Sequence, residues 1–283
     1  PSFGASGIES LARAALPFAF ATAGMAIVVI VGGIDLSVAS IMAVAAVLAA
    51  VLMERMAGVP ALFIVLAAGL VMGLINGALI VLTRVPDIVV TLAMLFVWEG
   101  TALLILSSPG GATADWLEAA IRGFFPVEGI PKALLIVVAA IGLVWLPIRR
   151  SKLGLSIYAT GSDEMAAFRS GVAVGRTKIA AYGLCGLLCA MGGLSLAALT
   201  GIGEPVPGPY LLASVAAVVL GGVVLGGGKG GLIGPIIAVF ILRIIRTILT
   251  LLAVDPNVTT IIEGTIMVAV VMLGTWLTRR GTR

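Results

Sequence analysis

The chain has 283 residues, of which 61% are hydrophobic and only 11% are charged, with 17 Lys and Arg against 13 Asp and Glu and no histidine. Water-soluble domains average about 25% charged and 45–50% apolar residues, so this chain could not cover a globule with polar surface, and lipid must be the solvent for most of it. The missing histidine excludes most common zinc sites and leaves nucleophilic catalysis few candidates.

Nine apolar runs follow in order: Leu11–Val31, Leu36–Met53, Val59–Leu82, Ile88–Leu106, Ala133–Ile148, Ile179–Thr200, Leu211–Leu225, Leu232–Leu252 and Val258–Leu277. About 20 apolar residues span a bilayer core, and backbone groups in lipid must bond internally, so each run reads as a helix. The expected fold is all-α, a polytopic bundle of about nine membrane segments forming one domain over 1–283. The Leu36 and Leu211 runs are short enough to be broken or tilted. Ten-residue alternating strands, the mark of a membrane barrel, are missing from the pattern. The chain opens on Pro1 without a basic stretch, short apolar core and cleavage site, so no signal peptide is read, and the native protein is expected to continue upstream.

The net charge of +4 is better explained by the positive-inside rule than by nucleic acid. With the loop 149–178 inside and the helices alternating, the inner side receives Arg84, Arg149, Arg150, Lys152, Arg169, Arg176, Lys178, Lys229, Arg279, Arg280 and Arg283. The outer side receives only Arg13, Arg55, Arg122 and Lys132. That orientation puts residues 1–10 outside and the C-terminus in the cytoplasm. One further helix before Pro1 would make ten in all.

Three segments interrupt the apolar pattern. Ser107–Pro131, the outer loop, opens on Ser108-Pro109-Gly110-Gly111 and carries Asp115, Glu118 and Glu128 against Arg122. Trp116, Leu117, Ile121, Phe124 and Phe125 would form one face of a short surface helix, either a plain interfacial helix or a partner contact. Arg149–Lys178 is the long basic loop. Ser162 is placed to cap a helix, with Asp163 and Glu164 in its first turn, Met165, Ala166, Ala167, Phe168, Arg169 and Ser170 following, and Gly171 to end it. A helix of about two and a half turns is marginal in water and needs a surface to lie against. The third segment is a set of glycine-rich joints, Gly32-Gly33-Ile34-Asp35-Leu36-Ser37 and Gly221 to Gly231. They suit close helix approach or broken helices. Asp35 and Ser37 can cap the helix after Gly33; a direct ligand or ion role for Asp35 is the alternative.

Gly226-Gly227-Gly228-Lys229-Gly230 is not a phosphate loop, because Val223 and Gly230 stand where that motif needs glycine and a hydroxyl residue. Cys185 and Cys189, four apart on one helix, read as packing thiols rather than a disulfide. The charges inside apolar runs are Glu99, Arg243, Arg246 and Glu263. Intramembrane charges usually face a cavity or a partner. Arg243 and Arg246 share a helix face. They either snorkel or pair with Glu99 or Glu263, or they line a solute path and meet a polyhydroxylated or anionic solute.

The order Gly32-Gly33-Ile34-Asp35-Leu36-Ser37-Val38, Gly73-Leu74-Ile75-Asn76-Gly77, Val85-Pro86, Thr91-Leu92, Gly154-Leu155-Ser156-Ile157-Tyr158-Ala159-Thr160-Gly161, Ser170-Gly171-Val172, Ala216 to Gly222 and Gly227-Gly228-Lys229-Gly230 resembles the permease subunits of bacterial ATP-driven sugar importers of the ribose/xylose type. The resemblance covers essentially the whole chain. It implies a bacterial inner-membrane location, a second permease subunit (homo- or heterodimer), two cytoplasmic ATPase subunits that carry ATP and Mg, and an outer solute-binding protein. No cofactor would be bound by this chain and no catalytic residue or metal site is expected. The helix at Ser162–Val172 would be the coupling helix. Asp35, Asn76, Glu99, Arg243 and Arg246 become solute-path candidates, and Trp116, Phe124 and Phe125 binding-protein contacts. Members commonly have Gly-Tyr-Glu where this chain has Pro209-Tyr210-Leu211, and small or amide residues where Arg243 and Arg246 stand. The function so implied is alternating-access import of a monosaccharide or related small polar solute. An ion-driven carrier or channel, with Asp35, Glu99 and Glu263 as ion ligands, is the competing class.

Overall fold

The computed structural model describes residues 4–125, 129–206 and 208–280; Glu128 and Arg283, assigned above to opposite sides, lie outside them. All regular structure among the described residues is helical, apart from two isolated bridges, Gly110 with Gly203 and Phe124 with Pro131. In chain order the helices are α1 (Ala5–Ile30), α2 (Val38–Arg55), α3 (Gly58–Thr83), α4 (Asp87–Ile105), α5 (Asp115–Ile121) and α6 (Lys132–Ala140). A π turn at Ile141–Trp145 leads into α7 (Leu146–Arg149), then α8 (Lys152–Ser162), α9 (Glu164–Arg169), α10 (Val174–Thr200), α11 (Tyr210–Leu220), α12 (Ile233–Leu251) and α13 (Pro256–Arg280). The π turn sits just before Pro147, whose ring nitrogen has no proton to donate.

Seven of these are long and apolar enough to cross a membrane: α1, α2, α3, α4, the Lys132–Arg149 unit, α10 and α12. The run at Leu36–Met53 is one unbroken helix. The run at Leu211–Leu225 is not: α11 has 11 residues, about 16 Å at 1.5 Å per residue. The last run falls within α13.

Burial sorts the helices into layers. The most apolar windows of α1, α10 and α2 are 89%, 72% and 61% buried, whereas those of α3, α4, the Lys132–Arg149 unit and α12 are 28% buried or less. So α1, apolar on every face, is a central post packed by α10, α2, α11, α12 and α6, and the outer helices present Leu, Ile, Val and Phe to lipid. Arg84, Arg149, Arg150, Lys152, Arg169, Arg176 and Lys178 all cluster where α3 and α7 end, α8 and α9 lie and α10 begins; this is the basic end of the bundle.

Lipid tails give no hydrophobic push between helices, so close approach depends on small residues. Gly69, Gly73 and Gly77, at four-residue intervals on α3, face Ala190, Gly186 and Gly183, and the backbone at Tyr182 and Ile179, on antiparallel α10. A Cβ on Gly186 would meet the Gly69 carbonyl oxygen, and one on Gly73 the Tyr182 carbonyl oxygen. Gly186→Leu should therefore cost at least about 1–3 kcal/mol of overpacking, read as a lower melting temperature in detergent; an unchanged melting curve would mean the seam is loose.

Candidate functional site

The first polar site lies at the basic end, in the connector between α1 and α2. Asp35 and Ser37 are fully buried there. Asp35 Oδ1 accepts from the Ser37 amide at 2.9 Å and the Ser37 hydroxyl at 2.6 Å, an Asx turn that bends the chain into α2. The Ser37 hydroxyl in turn accepts from Asn76 Nδ2 at 2.7 Å, and Asn76 Oδ1 accepts from the Trp98 indole at 3.2 Å. The connector, α3 and α4 are thereby tied by one chain of hydrogen bonds. Ser37 occupies the cap position of α2 but makes no side-chain bond to the helix amides, so the expected capping role is corrected to a cross-link: its hydroxyl is already committed to Asp35 and Asn76. Burial pushes the Asp35 carboxyl up from its usual range, against the pull of the hydrogen bonds from Ser37 and Asn76. A second tie lies beside it. Asp87, in the first turn of α4, accepts from the Ile34 amide and, at 3.4 Å, from the Tyr182 hydroxyl. Thr91 donates to the Asp87 carbonyl at 2.8 Å.

The second site is α9. The expected single helix over Ser162–Val172 is replaced by an elbow of two helices. Ser162 ends α8, its hydroxyl donating to the Tyr158 carbonyl at 2.9 Å, so it is not free to cap. Asp163, extended at φ −160°, does the capping: its Oδ1 accepts from the Ala166 amide at 2.9 Å. Glu164 follows in the first turn and pairs with Lys178 of α10 at 2.6 Å. At the other end the Val172 amide bonds the Ala167 carbonyl and the Gly171 amide the Phe168 carbonyl. With Ser170 as the cap residue and Gly171 at φ +84°, this is a Schellman stop, as its sequence position suggested. Ala167 is buried against the bundle, while Met165 and Phe168 are 59% and 67% exposed; Glu164, Ala166 and Arg169 are exposed too.

The elbow is anchored by glycine. A Cβ on Gly161 would collide with the Ile30 carbonyl oxygen and lie 2.6 Å from the Gly228 amide nitrogen. That amide donates to Ile30 at 2.8 Å, and the Tyr158 hydroxyl donates to the Gly230 carbonyl at 2.8 Å. The end of α8, the end of α1 and the glycine loop between α11 and α12 therefore meet backbone to backbone.

The third site is a cavity of about 190 Å³ near the middle of α1, lined by Phe18, Gly208, Pro209, Tyr210, Ala213, Arg243, Arg246 and Glu263 among others. Phe18 lies twelve residues before Ile30, about 18 Å at 1.5 Å per residue. The stretch after α10 folds back to reach this depth: Gly203 lies against Val47 and Ala50 of α2, and Tyr210 stacks at a tilt on Phe18, ring centroids 6.4 Å apart. So α11 starts inside the bundle, with the positive end of its dipole at the cavity. Arg246 Nε reaches Glu263 Oε1 at 3.6 Å. Arg243 Cζ stands 5.6 Å from the Phe18 centroid, and its Nε is buried without an acceptor. Of the two carboxylates expected to meet these arginines, Glu263 does so with Arg246. Glu99, half-buried on α4, does not, because α4 packs on α2 and α3 rather than on α12. The structure thus places Arg243 and Arg246 together, Asp35 with Asn76 at the basic end, and Glu99 with neither.

The aromatics of the 107–131 loop also divide. α5 stops at Ile121, and Leu117 and Ile121 turn inward. Trp116 rests on Gly58 at the start of α3 and is 40% exposed, Phe125 is 61% exposed, and Phe124 is half-buried in the bridge to Pro131. The expected single face is corrected accordingly: the helix is too short to carry Phe124 and Phe125. Cys185 and Cys189 are free, sulfur atoms 3.9 Å apart.

Residues 7–271 match the family described as branched-chain amino acid transport system / permease component. The chain belongs to this permease family. Among its relatives, the ribose import permease protein RbsC of Escherichia coli (strain K12) is 32% identical over 88% of this chain and 79% of its own length. RbsC of Bacillus subtilis (strain 168) is 35% identical over the same shares. The autoinducer 2 import system permease protein LsrD of E. coli (strain K12) is 31% identical over 90% of this chain and 83% of its own. No solved structure matches.

The structure also brings to these sites residues that the sequence did not single out as site candidates. Asp87 and Tyr182 close the tie at the basic end, and Phe18 and Tyr210 line the cavity. Asp87 had a signal, an acid directly after Val85-Pro86 at a helix start. Phe18 and Tyr182 had none, being aromatics within apolar runs.

Proposed function

We propose that this permease imports a monosaccharide or related small polar solute into the bacterial cytoplasm by alternating access, powered by separate ATPase subunits. It works with a second permease subunit and receives solute from an outer binding protein. The basic end faces the cytoplasm, as the positive-inside rule requires. Counting α11, with the chain that leads into it, and α13 as crossings, the chain crosses nine times and α13 ends on the inner side. ATP and Mg stay on the partner subunits.

The observation that carries this reading is α9: a helix of six residues, capped at both ends, outside any candidate span, leaving Met165 and Phe168 uncovered by the described residues at the basic end. A groove on an ATPase subunit would cover this apolar knob. Closure of the ATPase pair on α9 would push the elbow, and the glycine contacts of Gly161 carry that push to the end of α1 and the loop leading to α11 and α12. Those last helices line the central cavity, which is the solute path, with Arg243 and Arg246 in its wall. Asp35 and Asn76 hold the hinge and do not touch solute. Trp116 and Phe125 offer the outer contact to the binding protein. Solute shifts the balance of inward-open and outward-open states only through its different affinities for them.

The test is uptake in proteoliposomes holding the permease with its co-purified ATPase and binding protein. Uptake should stop without ATP and survive collapse of the ion gradient. Uphill accumulation by this chain alone would overturn the reading in favour of an ion-driven carrier.

A further inference from the structure

The central cavity is more particular than a sugar path needs to be. Its cationic equipment is the Arg243 and Arg246 side chains, with the N-terminal end of α11 beside them and the Tyr210 side chain in the wall. Its one acid, Glu263, is engaged by Arg246. Among the described residues nothing offers Arg243 a carboxylate; the cation has only the face of Phe18, and its buried Nε has no acceptor. A charge in a low-dielectric surrounding is costly unless something of opposite sign meets it. Among the described residues the site therefore carries one more positive than negative charge at mid-depth.

We infer that the solute of this permease is a polyhydroxylated monoanion, a carboxylate-bearing sugar acid, and that Arg243 is the residue that selects for it. The inference rests on the cavity being the solute path. Three features narrow the class. The guanidinium fork matches a carboxylate with two parallel hydrogen bonds. One unmatched charge fits a monoanion better than a sugar phosphate, which carries nearly two. An amino acid would bring an ammonium group, for which the cavity has only the carboxylate already held by Arg246. The 190 Å³ volume, below the roughly 300–1,000 Å³ of drug-sized sites, suits a single small solute.

The probes are D-ribonate and D-ribose, which share a five-carbon polyol chain and differ at the carboxylate. Wild-type permease with its ATPase and binding protein should take up D-ribonate, and the detergent-purified permease should melt higher with D-ribonate than with D-ribose. Arg243→Met should cut D-ribonate uptake by about tenfold or more and abolish the melting shift; Arg243→Lys, which keeps the charge and loses the fork, should retain part of both. Uptake of D-ribose but not D-ribonate by wild type overturns the inference, as does an Arg243→Met variant that carries D-ribonate normally. If Arg243→Met does not fold, the wild-type comparison decides. Ala213→Trp separates this claim from the path itself. A plug that leaves all uptake intact removes the path. A plug that blocks uptake, where the unplugged wild type prefers D-ribose, keeps the path and removes the anion.

Discussion

Met165→Asp combined with Phe168→Asp should strip the ATPase from the permease and reduce solute uptake by about a hundredfold. The two side chains are the apolar part of α9 that the described residues leave largely exposed. Burying each against a partner is worth about 1.5–3 kcal/mol, so losing both removes most of a docking contact of this size. The features that make α9 a helix are elsewhere: the Asp163 cap, the Glu164–Lys178 pair, the inward Ala167 and the Gly171 stop. Helix content and melting temperature should therefore stay at wild-type values while co-purification of the ATPase fails. Normal coupled uptake in this variant would remove α9 from the mechanism.

Gly161→Val should give the complementary defect. The added carbons have no room between the Ile30 carbonyl, which accepts the Gly228 amide at 2.8 Å, and the glycine loop itself. The elbow must back away from α1, and the loop before α12 must shift with it. The ATPase still finds an intact α9, so the complex should assemble and hydrolyse ATP. Uptake should fall by about tenfold, in the range set by coupling energies of 1–3 kcal/mol. Gly100→Val is the control, since a Cβ there meets nothing within 4 Å. If both variants transport alike, the glycine junction carries no coupling.

The two variants bear on how far the sequence could be read. Long apolar runs and the clustering of Lys and Arg made the helical bundle and its basic end legible, because lipid and the positive-inside rule act on composition alone. Gly171 was legible as a helix stop because left-handed backbone selects glycine locally. The start of α9 was not: Ser162 and Asp163 are both good caps, and the choice depended on Ser162 spending its hydroxyl on Tyr158. Asp35 and Ser37 look like caps in sequence, yet their partner is Asn76, 39 residues away, and no local rule reports such a contact. Arg243 and Arg246 were equivalent by spacing. Only the position of Glu263 on α13 separates them, leaving one paired and one bare.

The shortness of α11 also bears on how the protein is made. Eleven residues cover about half of a bilayer core near 30 Å thick, and residues 201–206 and 208–209 before it are bends and irregular backbone. Such a segment cannot leave the translocon sideways into lipid by itself, because its open backbone would meet hydrocarbon. It should be held until α1, which packs on it, is in place and α12 and α13, which also pack on it, have emerged. Insertion is then expected to be ordered: the early helices build the mould, and the half-helix settles among protein, never among lipid.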